Sequence, residues 1–339
     1  MTLRFGVVGA GGIARSYIDV FAELPDAAIV GVADPDADAA HALAAAVDAI
    51  ALRSVSELLA TVEIDAVVVC TPPNSHPTIA LEAIAAGKAV LCEKPLAISV
   101  DSARAMVGAA ARVGVPFTMA AKFRFVDDVI EARGLVESGV VGEIIQLENT
   151  FASRVDMSAR WNADPIVSGG GVLIDNGTHS VDIARAFLGP IREVLVLEGP
   201  RTLGLHVEDS VQLLVRAGSD ATATIDLSWS YDNATDTYLQ VYGTDGALRV
   251  GWRESAYREN RADRWVPFGV GYDKITCMRR QVANFCGALR GDEELAVSAA
   301  DAVASVQVIA AAYESLALGD WVTVESVQSV DTTSTEDVA

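Results

Sequence analysis

Over the first third of the chain, short apolar runs alternate with longer stretches whose alanine and aliphatic positions recur at helical spacing. The runs at 3–8, 28–33, 66–70, 89–92 and 116–121 read as strands. Between them the spacing predicts helices from about residue 13, over 37–47, over 101–113, and from the Thr71-Pro72-Pro73-Asn74-Ser75-His76-Pro77 segment to Ala86, where Gly87 is the stop. Strand and helix in strict alternation predict a doubly wound parallel sheet. After Lys122 the pattern changes. A helix over 127–137 is followed by runs at 143–151, 191–198, 211–215, 221–229 and 238–242, which read as a largely antiparallel sheet. Thr244-Asp245-Gly246 reads as a hairpin turn, and further helices fall at 173–188, 279–289 and 301–316. The expected organisation is a dinucleotide-binding domain over 1–122, a second α+β domain with an open sheet over 123–325, and a frayed acidic tail over 326–339.

The first strand runs straight into Gly9-Ala10-Gly11-Gly12-Ile13-Ala14. Gly9 permits a tight strand-to-helix turn, Gly11 lets the backbone approach a pyrophosphate, and Ala14 lets the helix pack close to the strand. The second strand ends at Asp34, the distance at which an acid accepts hydrogen bonds from ribose hydroxyls and repels a 2′-phosphate. With Pro35 and Asp36 next to it, and no arginine, the expected cofactor is NAD rather than NADP. The alternative for Asp34 is an ordinary turn acid.

At 339 residues two domains are the default, and the formal charge of −21 argues against a phosphate-backbone partner such as nucleic acid. Five net negative charges fall up to Lys122 and sixteen after it. That acid is either a solubility device or an attraction for a cationic substrate such as an amino sugar. No uninterrupted apolar segment reaches bilayer length, and the chain enters its first strand without a basic leader, so a cytoplasmic protein without a membrane partner is expected. The four cysteines lack metal or redox spacing, and Cys70 and Cys92 read as buried structural thiols.

Two places can carry chemistry. Lys94, in Glu93-Lys94-Pro95 at a strand end, is either a surface lysine or an ammonium that holds a substrate hydroxyl. Asp175 and His179, four apart in a helix after the Gly169-Gly170-Gly171 run, share one helix face. A neutral histidine there suits removal of an alcohol proton. An exposed pair, a structural cap and two ligands of a metal site compete with that reading; no third ligand shows suitable spacing, and no metal is expected. His76 reads as a helix-start or cofactor-loop residue rather than a base, and His41 as a surface residue.

These motifs, with Ala312-Tyr313-Glu314-Ser315 near the end, resemble those of the glucose-fructose oxidoreductase / inositol dehydrogenase family, from Arg4 to about Val324. The resemblance implies an N-terminal Rossmann domain, a second domain whose open sheet mediates a homodimer or homotetramer, and NAD-dependent oxidation of a sugar or cyclitol. It implies that Lys94 contacts the reacting hydroxyl, that His179 is the general acid/base and that Asp175 orients or polarises it. Gly9, Gly11, Gly12, Ile13, Ala14, Asp34, Thr71, Pro72, Asn74, His76, Glu93 and Lys94 would hold the cofactor. Arg124, Asp156, Trp161, Asn162 and Asn176 would line the substrate pocket. A redox-neutral NAD-dependent glycosidase and a non-catalytic NAD- and sugar-binding sensor would share most of these motifs.

Overall fold

The computed structural model describes residues 2–325, so the expected acidic tail lies outside the described residues. The first part alternates β1 (Leu3–Val8), α1 (Gly12–Ala22), β2 (Ala27–Ala33), α2 (Ala37–Ala45), β3 (Ile50–Leu52), α3 (Val55–Thr61), β4 (Ala66–Val69), α4 (His76–Ala85), β5 (Ala89–Cys92), α5 (Val100–Val113) and β6 (Phe117–Met119). The strands form one parallel sheet in the order β3-β2-β1-β4-β5-β6. Its direction of winding reverses between β1 and β4, which opens a crevice at the carboxyl ends of those strands. β4 and β5 are buried along their whole length, because strands covered on both faces read as continuous apolar runs. β3 and α3 escaped the sequence reading. A three-residue strand carries no periodicity, although Ser54 accepting from the Glu57 N–H at 3.1 Å is the capping half of a Ser-x-x-Glu helix start.

The second part comprises α6 (Asp127–Glu137), β7 (Ile144–Ala152), α7 (Pro165–Ser168), α8 (Val172–Leu188), β8 (Ile191–Glu198), β9 (Ser210–Ala217), β10 (Thr222–Ser228), β11 (Thr237–Gly243), β12 (Gly246–Gly251), β13 (Ser255–Glu259), β14 (Val266–Gly269), α9 (Lys274–Arg290), α10 (Ala299–Leu318) and β15 (Val322–Thr323). Nine strands form one sheet, β14-β13-β12-β11-β7-β10-β9-β8-β15, antiparallel throughout except where β7 runs parallel to β10. The architecture is therefore the expected α/β combination of a doubly wound sheet and a largely antiparallel one. The hairpin at Thr244-Asp245 joins β11 to β12 as the sequence predicts. β12 to β15 were not anticipated, since their short runs mix charged and apolar positions without sustained alternation.

α8 and α10 cover the second sheet, and α9 crosses back onto the first. There Phe285 packs against Phe5 with ring centroids 6.2 Å apart, and Lys274 Nζ donates to Ser16 Oγ at 2.7 Å. α9 starts five residues before its expected position because Asp273 accepts from the Thr276 N–H at 2.6 Å and caps it. α10 is long and apolar enough to cross a membrane by length and composition, but most of it is buried between the second sheet and α5. Cys70, Cys92, Cys277 and Cys286 are free and buried, and burial pushes all four thiols up, away from the reactive thiolate.

Candidate active site

A cavity of about 840 Å³ lies between the carboxyl ends of the first sheet and the face of α8. Its first wall is the glycine loop. Gly9 has φ +97°, and a side chain there would strike the Cys70-Thr71 backbone. Gly11, Gly12 and Ile13 line the cavity, and open space lies where a Cβ on Gly11 or Gly12 would project. Gly11 caps α1 without any side-chain bond, so the first-turn N–H groups remain for an anion. Ala14 is fully buried against the sheet. The Asp34 carboxylate accepts from the Ala10 N–H at 2.7 Å and the Asp36 N–H at 2.8 Å, which turns it toward the loop but outside the cavity lining. This cradle fits a dinucleotide.

The loops after β4 and β5 form the floor. Thr71 lines the cavity; Pro72 and Asn74 do not, and the Asn74 N–H donates to the Val167 carbonyl instead. His76 is a correction in part: it starts α4, as one of its two readings had it, but it does not line the cavity. Its buried ring lies between the Thr71 carbonyl at 2.8 Å and the Pro95 carbonyl at 3.0 Å, tying the two floor loops together, and burial holds its pKa down. Glu93 accepts from the Tyr17 hydroxyl at 2.9 Å, and burial raises its pKa. Lys94 Nζ donates to Asp175 Oδ1 at 2.6 Å and to the Asp175 carbonyl at 3.1 Å. With 17% of its side chain exposed, it is not a surface lysine.

α8 supplies the opposite wall, and its start is built by Glu208. One carboxylate oxygen accepts from the Gly171 N–H at 2.8 Å, the Leu173 N–H at 3.1 Å and the Tyr313 hydroxyl at 2.8 Å. A side chain on Gly170 would overlap the Tyr313 hydroxyl and one on Gly171 the Glu208 carbonyl, so those two glycines are a packing requirement. The helix presents Asp175, Asn176 and His179 to the cavity. Asp175 makes no hydrogen bond to His179; the Lys94 ammonium holds its Oδ1. His179 instead packs edge-on against Phe123, ring centroids 5.0 Å apart, with no hydrogen bond among the described residues. Burial holds its pKa well below the ordinary value, and Lys94 and Lys122 push it the same way.

Among the substrate candidates, Trp161, Asn162 and Asn176 line the cavity. Asp156 is exposed and accepts from the Ser158 N–H at 3.0 Å, away from the lining. Arg124 is a second correction. Its guanidinium clasps the buried Asp182 carboxylate at 2.8–3.0 Å and reaches Asp301 at 3.5 Å, which anchors the 122–125 turn to α8 instead of facing a ligand. The sequence reading missed Lys122, Arg160, Lys274, Phe151 and Trp252, all of which line the cavity. Lys122 follows β6 as Lys94 follows β5, so the strand-end rule that flagged one could have flagged the other.

The acid excess of the second half does not reach this site. Lys94, Lys122, Arg160 and Lys274 line the cavity against only Glu93 and Asp175. Among the described residues no group of three or more histidine, cysteine or acidic side chains could hold a metal.

Residues 3–121 match the model of an oxidoreductase family with an NAD-binding Rossmann fold, GFO_IDH_MocA, and residues 129–249 match the GFO/IDH/MocA C-terminal domain. The chain is 28% identical to inositol 2-dehydrogenase of Rhizobium meliloti, over 94% of this chain and 98% of that one. It is 31% identical to 1,5-anhydro-D-fructose reductase of Ensifer adhaerens, over 72% and 74%. Among solved structures, GenD2 from gentamicin A biosynthesis in complex with NAD superposes with a TM-score of 0.85 at 28% identity, covering 96% of this chain and 97% of that one.

Proposed function

The chain belongs to the GFO/IDH/MocA oxidoreductase family, and from that premise we propose that it oxidises a secondary alcohol of a sugar or cyclitol, or reduces the matching ketone, with NAD. The observation that carries this reading is the meeting of Lys94, Asp175 and His179 on one cavity beside the glycine loop. Bound at that loop, NAD supplies the hydride acceptor. The N–H groups at the start of α1 would hold its pyrophosphate, and Asp34 would take the ribose hydroxyls and disfavour a 2′-phosphate.

The residues divide the remaining work. His179, kept neutral by its surroundings, takes the hydroxyl proton. The Lys94 ammonium, pinned by Asp175, donates to the same oxygen as it becomes an alkoxide. Asp175 thus positions the lysine and acts on the histidine only through it. Phe123, Phe151 and Trp252 wall the site with apolar surface, which excludes water and strengthens these charges.

The test is absorbance at the reduced-nicotinamide band while the protein with NAD is screened against sugars and cyclitols. A rise with any member supports the reading. Tight NAD binding with no rise overturns it in favour of a redox-neutral glycosidase or a sensor. A second reading, an amino-bearing substrate such as an aminoglycoside, draws on the likeness to GenD2, while the cations of the cavity count against it. A homodimer or homotetramer through the uncovered face of the second sheet belongs to the same proposal, and light scattering after size-exclusion chromatography tests it.

A further inference from the structure

Lys122 differs from the other lysines of the cavity. Lys94 is held by Asp175, and Lys274 donates to Ser16, one turn into α1 and on the dinucleotide side. Lys122 makes no hydrogen bond and no ion pair with any described residue, although it is half-buried on the cavity wall. Glu93, whose charge favours the ammonium form of Lys122, already accepts from the Tyr17 hydroxyl and the Lys94 N–H. The ammonium is nonetheless fixed in place. It lies 5.5 Å from the centre of the Phe123 ring and 5.6 Å from that of Tyr272, and the adjoining Arg124–Asp182 clasp locks its turn to α8. A cation in a partly dry site with no direct ion pair is costly, and the cost is relieved when an anion arrives. Arg160, also without a side-chain partner among the described residues, stands on the exposed rim of the same cavity.

We propose that Lys122 is the specificity-determining residue of this site, holding an anionic substituent of the substrate, so that the preferred sugar or cyclitol carries a carboxylate or a phosphate monoester. This rests on the dehydrogenase reading of the preceding section and names its substrate class. An amino sugar would instead meet two like charges, Lys122 and Lys94, on entering.

The test is kcat/KM on three matched sets, each a neutral sugar with its uronate, its 6-phosphate and its amino derivative, for the wild-type enzyme and for Lys122→Met and Lys122→Arg. The expected result is at least about a tenfold preference for one acidic form over the neutral sugar, carried mainly by KM, lost in Lys122→Met and retained in Lys122→Arg. Whether the uronate or the phosphate is preferred identifies the anion. Equal kcat/KM for acidic and neutral forms, a preference for the amine, or a preference that survives in Lys122→Met would overturn the inference while leaving the dehydrogenase reading intact. Calorimetric titration of the same sugars into the NADH-loaded enzyme gives a second readout. If no sugar is oxidised, the dehydrogenase reading fails, and tighter binding of the acids that is lost in Lys122→Met still supports the anion site, whereas equal binding overturns it.

Discussion

The wall that the first sheet contributes to the cavity is made mostly of backbone, whereas the wall contributed by the second part is made of side chains. On the first, Gly9, Gly11 and Gly12 act by what they lack, and the anion site is a row of N–H groups at the start of α1. On the second, α8 presents Asp175, Asn176 and His179, and Phe123, Phe151 and Trp252 fill the space around them. A backbone site recognises a part common to every dinucleotide and tolerates little change. A side-chain site can be rewritten one residue at a time while the frame stands, which is how one family can act on different substrates.

If the two walls divide the labour in this way, removing atoms from the second should strike turnover and adding atoms to the first should strike cofactor affinity. The largest expected effect is in His179→Ala on the second wall and in Lys94→Ala, a side chain that the floor loop after β5 sends across to Asp175 on that wall, each lowering kcat by about 10²- to 10⁴-fold, with the NADH dissociation constant from fluorescence titration within about threefold of wild type. Comparable losses in both quantities would break the division. Next, Gly11→Val should weaken NADH by about a hundredfold with little change in Tm, because the added atoms enter the cavity and meet no protein. Glu208→Ala removes the acceptor from two N–H groups at the head of α8 and from Tyr313, and should cost about 2 kcal/mol in denaturant unfolding, while Glu208→Gln recovers most of it.

The smallest effect is the most discriminating. His179 must be neutral to accept a proton, and its pKa is held well below 6.5, so the acid limb of kcat/KM should fall below pH 6.5. Lys122→Met removes one of the two repelling cations, so the limb should move up toward 6.5. An unmoved limb would mean that another group governs it.

The same contrast explains what could be read from the chain. Gly9-x-Gly11-x-x-Ala14 and Asp34 are legible because a backbone site constrains residue type at fixed spacing. Lys94 and His179, both of which line the cavity, are legible as candidates because one follows a strand and the other sits on a helix face. The pairing of Asp175 with Lys94 is not, since it joins residues 81 positions apart whose choice of partner depends on how α8 is docked. Arg124 and His76 carry chemistry-capable groups that tertiary contacts consume, and nothing local to either residue reveals the carboxylate or the carbonyls that claim it. Lys122 is the converse, a cation that tertiary structure leaves unclaimed.

Because α9 closes over α1, the first sheet is completed by residues far downstream. Phe285 meets Phe5 and Gln281 meets Tyr17 across most of the chain. On the ribosome, residues 1–122 emerge roughly 8–30 s before α9 at ~5–20 residues per second. Through that interval the apolar side of α1 awaits its cover. A fragment cut at Lys122 should therefore be aggregation-prone even though all its strands are present, which light scattering of the purified fragment checks.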